Sequence, residues 1–154
     1  MLLRFNLFQK TLEFKQGELI LALDSLDMAI YLDTPGDSST IHVLKTGYPP
    51  IDEQDGNSIY EALSMSNKAH LLKYRLQKVE DIRSVGEYGK REIVTISKYY
   101  IYIPNKGIFK IKPNPNSIAE LFPTEAALIN KIVKQSKLNL KKDNDLVKLM
   151  IELN

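Results

Sequence analysis

At Pro113-Asn114-Pro115-Asn116 the chain changes rhythm, and no other feature constrains its fold as much. Before this point apolar and polar residues alternate in short runs, the period-two pattern of half-buried strands. After it, apolar residues recur three and four positions apart, as on one face of a helix. The expectation is an α+β chain with an N-terminal antiparallel sheet or meander and a C-terminal cap of two or three short helices. With 154 residues the chain is read as a single domain over 1–154, a β-rich body over 1–112 and a helical subregion over 113–154.

Within the body, Leu3 to Phe8 alternates until its last step, and Leu12-Glu13-Phe14-Lys15 continues the pattern. Gln16-Gly17 reads as a hairpin turn into Glu18–Leu23. Leu19-Ile20-Leu21-Ala22-Leu23 is too continuous to assign a face and fits a strand covered on both sides. Asp33 to Ser39 is a turn cluster around Pro35-Gly36, followed by a short strand over Thr40–Lys45. Asp52 to Asn57 forms an acidic loop. Ser58–Met65 and Ala69–Val79 then read as a hairpin, with Leu72, Tyr74 and Leu76 on one face and Lys73, Arg75 and Gln77 on the other. Arg91–Ser97 and Lys98–Ile103 are β-branched and aromatic, and Pro104-Asn105-Lys106-Gly107 turns the chain into Ile108–Ile111.

In the helical part, Ser117 with Glu120 matches a capping box, and Pro123 ends the helix it starts. Thr124 offers a second cap, ahead of Ala126, Ile129, Ile132 and Val133 at helical spacing, with Lys131, Lys134 and Lys137 toward the C-terminal end. A last helix starts near Asp143 and carries Leu146, Leu149, Met150 and Leu153 on one face, with Asp143-Asn144-Asp145 as its capping group.

Composition removes whole classes of chemistry. There are no cysteines, hence no disulfide, thiolate zinc site or cysteine nucleophile. The net charge of +2 is too weak a bias to argue for nucleic acid. No run approaches the ~20 apolar residues of a membrane span. The two histidines, His42 and His70, stand apart without metal-ligand spacing and read as satisfied strand residues. Aligning the acidic loop as a calcium loop places Ile51 and Ala62 at ligand positions, so that motif fails, and a solvated turn is the better reading of Asp52, Asp55 and Asn57. There is no nucleophile elbow, phosphate loop or dinucleotide fingerprint. Glu80-Asp81 is an adjacent pair whose side chains would point to opposite faces of a strand. The expectation is no enzyme, no cofactor and no metal.

The order of these pieces resembles a family of uncharacterised proteins from Bacteroidetes bacteria. It is carried by Leu3-Arg4-Phe5-Asn6-Leu7, Leu12-Glu13-Phe14-Lys15-Gln16-Gly17, Leu21-Ala22-Leu23-Asp24 and Thr46-Gly47-Tyr48. Tyr60-Glu61-Ala62-Leu63, Leu71-Leu72-Lys73-Tyr74, Tyr99-Tyr100, Ile118 to Pro123 and Leu138 to Leu146 continue it. Members combine an N-terminal signal, a β-rich body and a lysine-rich helical tail, with no assigned activity. The resemblance therefore implies export to the periplasm or cell envelope. Met1–Lys10 does not read as such a signal, because Arg4, Asn6, Gln9 and Lys10 interrupt the apolar run, and the chain reads as starting inside the family's first β region.

The function expected from this reading is a non-catalytic binding or scaffolding domain of an envelope-associated protein. Strands near the start lack some partners, so an exposed edge can pair with another protein or with a second copy. Tyr48, Tyr100 and Tyr102 are the candidate contact residues, since tyrosine presents rigid amphipathic area. The alternative is single-stranded nucleic-acid binding by the hairpin 98–112, with Tyr99, Tyr100 and Tyr102 beside Lys98, Lys106, Lys110 and Lys112.

Overall fold

The computed structural model describes residues 3–23, 26–34, 37–81, 89 and 91–153, with backbone alone for 31–34 and 37–40. The first sheet holds β1 (Leu3–Asn6), β2 (Thr11–Gln16) and β3 (Leu19–Ala22) in that order. The second holds β4 (Met28–Thr34), β5 (Asp37–Lys45), β6 (Tyr60–Met65), β7 (His70–Asp81), β8 (Arg91–Ile103) and β9 (Gly107–Ile111). Every neighbouring pair is antiparallel and consecutive in sequence. Helices α1 (Pro115–Leu121), α2 (Ala126–Gln135) and α3 (Asp143–Glu152) follow, with a 3₁₀ turn over Pro123–Glu125. The α+β meander with a helical C-terminal part is therefore the architecture of this chain.

Local chemistry explains the junctions. Gly17 takes φ +62 between β2 and β3, and Asn105 and Gly107 take φ 63 and 112 between β8 and β9, a region that side chains with a Cβ rarely adopt. Arg91–Ile103 is one continuous strand rather than two runs, because its β-branched residues pair with β7 along the whole length, from Asp81↔Arg91 to His70↔Tyr102. The expected turn Asp33–Ser39 is narrower: β4 runs to Thr34 and β5 starts at Asp37, while Pro35-Gly36 lies outside the described residues.

The helix signals shift by a few positions. Asn114, not Ser117, caps α1: its Oδ1 accepts the Ser117 N–H at 2.9 Å, and the Ser117 hydroxyl accepts the Lys112 N–H at 3.0 Å. Pro115 occupies the first turn, where its missing N–H is harmless. Thr124 does not cap α2, since the 3₁₀ turn leads directly into the helix and its hydroxyl donates to Glu125 instead. Lys137 lies beyond α2 in the left-handed region, φ 50. Its N–H reaches the Lys134 carbonyl and the Leu138 N–H reaches the Val133 carbonyl, a helix-ending motif that usually employs glycine.

The six-stranded sheet is covered on both faces at its centre. On one face Leu71, Ile101, Ile103 and Ile111 meet Ile118 and Phe122 of the α1 region, Ile129 and Ile132 of α2, and Leu146, Leu149, Met150 and Leu153 of the α3 region. The apolar face expected for α3 is thus the one that is buried. On the other face Tyr60, Ala62, Leu72, Tyr74, Tyr100 and Ile108 are covered by Tyr48 and Ile51 of the segment between β5 and β6. The three-stranded sheet joins through Leu12, which packs with Leu44 and Ile59. The Gln77 N–H also donates to the Leu7 carbonyl at 3.2 Å, which holds the β1–β2 turn beside β7.

Candidate functional site

The three tyrosines expected to contact a partner belong to an interior cluster. Tyr100 is 0% exposed and Tyr48 3%, so neither offers area to a partner; Tyr102 is half-buried beside them. Tyr48 stands edge-on to Tyr60 and Tyr102, with centroids 5.5 and 5.3 Å apart, and its hydroxyl lies 3.0 Å from His70 Nδ1. The Tyr100 hydroxyl lies 2.9 Å from both Asp52 Oδ2 and Gln54 Oε1. Lys110 reaches the same Asp52 oxygen at 2.7 Å, and these two partners hold that carboxyl below its ordinary range. The cluster pins the acidic segment over the sheet. Burial, with neighbouring tyrosines and carboxylates, pushes the Tyr60 hydroxyl up to about 12 and Tyr48 and Tyr100 higher still, so all three stay neutral. The tyrosine face expected to stack on nucleic acid is therefore packed inward, and Lys110 is occupied.

A second polar group, unmarked in the sequence, lies on the helix-covered face. Register sets Glu61 opposite Lys73 and Lys73 opposite Tyr99, with Arg75 two residues along. Glu61, 8% exposed, takes His42 Nδ1 on one carboxylate oxygen and Arg75 on the other, the latter at 3.0 Å. Asp143, at the start of α3, accepts the Tyr99 hydroxyl at 2.7 Å and Lys73 Nζ at 2.5 Å, again one on each oxygen. Burial pushes the Asp143 carboxyl up, but the Lys73 and Tyr99 hydrogen bonds and the Lys73 and Arg75 charges outweigh it, leaving the carboxyl below its ordinary range. Asp143 thus ties α3 to the sheet rather than serving as a local cap. Lys141, Lys142 and Lys148 line an open cleft of about 660 Å³ beside it.

Each oxygen of the two carboxylates accepts one of these donors, so the seam braces the sheet and holds α3 against it. The lysines of the cleft face Asp143 and Asp145, which already supply the anionic charge that favours a helix N-terminus. Around Asp55 the acidic loop is a closed turn, with the Asp55 carboxylate accepting the Asn57 N–H and the Ser58 hydroxyl at 3.0 Å each. Among the described residues no three His, Asp or Glu side chains are arranged to hold a metal ion. Among them also, no helix is long and apolar enough to cross a membrane.

What remains open is an edge. The run whose face the sequence left unassigned, and which also fits a strand covered on both sides, is exposed throughout as β3: Leu19 is 65% exposed, Ile20 58% and Leu21 37%. Its partner β2 lies on one side, in the register Phe14↔Leu21 and Lys15↔Ile20. The Leu23 N–H donates to the Leu12 carbonyl at 2.8 Å, so by antiparallel alternation Leu21 and Leu19 also bond to β2. Ile20 and Ala22 then direct their N–H and C=O groups away from the sheet, and among the described residues they meet no backbone partner. The outer strand β4 differs, because a register irregularity between Leu32 and Thr34 blunts it.

No family model, no curated protein and no solved structure matches the chain.

Proposed function

We propose that this chain is a non-catalytic binding domain that accepts an extended segment of another polypeptide along the outer edge of β3. One observation carries this reading: a strand with outward backbone groups at Ile20 and Ala22 has no charge, proline or bulge between Leu19 and Ala22. Folded proteins normally blunt such edges, because unpaired backbone and apolar side chains template the pairing of another chain. Strand addition uses the same features productively, with backbone hydrogen bonds for affinity and alternate side chains for specificity. The donors already held by both oxygens of Glu61 and of Asp143 give these carboxylates a bracing role, which supports a reading without catalysis. The resemblance to exported Bacteroidetes proteins supports a cell-envelope setting.

The test places a photo-reactive side chain at Ala22 of the full chain and irradiates it in an envelope extract of a Bacteroidetes bacterium. A protein adduct is expected, and Ile20→Pro should abolish it, because proline removes an outward N–H while sparing the β2–β3 bonds. A folded protein that forms no adduct from β3 would overturn the proposal.

A further inference from the structure

Resting on that edge reading, we infer that the polypeptide which pairs with β3 is the β3 of a second copy, joined antiparallel about a two-fold axis at Ile20. Leu19-Ile20-Leu21 reads the same in both directions, so a two-fold through Ile20 sets each leucine against a leucine of the other copy. Closed pairs of identical subunits require such self-complementarity, in which one patch meets itself.

Parity allows this register. Hydrogen-bonded antiparallel pairs need outward backbone groups on both strands, and on β3 these belong to even-numbered residues. Centring on Ile20 pairs Ile20 with Ile20 and Glu18 with Ala22, so no like charges are opposed. The join would turn two three-stranded sheets into one of six strands. Leu19 and Leu21, on the face shared with Phe14 and Leu12, would cover one another across the join. At the end of β1 the Leu7 carbonyl is bonded to Gln77 of β7, which anchors this sheet on the side away from β3. About five residues a side is short of the roughly 20–30 of a standard interface, so the association is concentration-dependent rather than permanent.

Absence of native cysteine makes the register directly readable. Two Ile20 Cα atoms would stand about 5.5 Å apart, inside the 4.4–6.8 Å range of a disulfide. Two Ala22 Cα atoms would be about 14 Å apart, beyond it. Under mild oxidation Ile20→Cys should give a band of twice the chain mass on a non-reducing gel, while Ala22→Cys stays single. The unmodified protein should gain mass in light scattering as concentration rises, and Ile20→Pro should lose that gain. A strictly monomeric protein, or equal cross-linking of both cysteine variants, would overturn the self-pairing. If the Ala22 photo-adduct then holds a different protein, the edge reading survives without it. If neither kind of adduct forms, both fall.

Discussion

Tyr48 and Tyr100 show how a side chain suited to interfaces becomes an internal brace when its hydroxyl finds a partner. Tyr48 meets His70 and Tyr100 meets Asp52 and Gln54, whereas the Tyr60 hydroxyl is buried without a hydrogen-bond partner among the described residues, an arrangement that costs about 1–3 kcal/mol. His70 in this cluster gives a pH dependence of known sign. Burial first, and the Lys45 charge second, lower its folded-state value below the ordinary one. Its neutral form is therefore favoured by folding, and that stability is present above about pH 6.5 and lost as pH falls through the lowered value. Thermal melts should show a midpoint that declines below about pH 6.5, and His70→Gln should flatten that part of the profile. An unchanged slope in the variant would contradict the assignment. The alternation of Tyr99 against Tyr100 and Tyr102 was legible in the sequence, since period two fixes which residues share a face. Which of them would be exposed was not, because both faces at this part of the sheet are covered by segments distant in the chain.

Element boundaries followed local signals where those signals were unique and drifted where two competed. Asn114 and Ser117 both suit a helix start, and Pro115 decided between them by fitting the first turn of α1. The end of α2 carries a residue against type, since Lys137 holds the left-handed position at φ 50. A Cβ is disfavoured there by roughly 1 kcal/mol, so Lys137→Gly should raise unfolding stability by about 0.5–1 kcal/mol in a denaturant titration. Lower stability would mean that its long side chain contributes more than the backbone strain removes. The run Leu19–Leu23 was recognisable as a strand, but its exposure was not. An uninterrupted apolar run fits a strand buried on two faces. Here the chain places no element on its outer side among the described residues, so the run becomes an available edge.

For the molecule as a whole, the Lys73–Asp143–Tyr99 group joins the helical part to the sheet. Asp143→Asn should lower stability at pH 7 by roughly 1–2 kcal/mol, between the values of exposed and buried pairs, since the aspartate is 33% exposed and Lys73 14%. Because the Asp143 carboxyl is lowered, the stability it contributes is present above about pH 4 and lost as pH falls through its folded value. Urea titrations of parent and variant should therefore converge on moving from pH 7 to pH 3, and a constant gap would exclude the carboxylate's charge as the cause. The amino-acid order was enough to establish the β-to-α progression, the β6–β7 and β8–β9 hairpins and the buried stripe of α3, because periodicity and turn chemistry act over a few residues. The tertiary structure alone assigned Asp143 to Tyr99 across 44 positions and Tyr100 to Asp52 across 48, enclosed Glu61 between His42 and Arg75, and left β3 uncovered. Those outcomes depend on which distant surfaces meet when the sheet is covered, and no short stretch of sequence encodes that meeting.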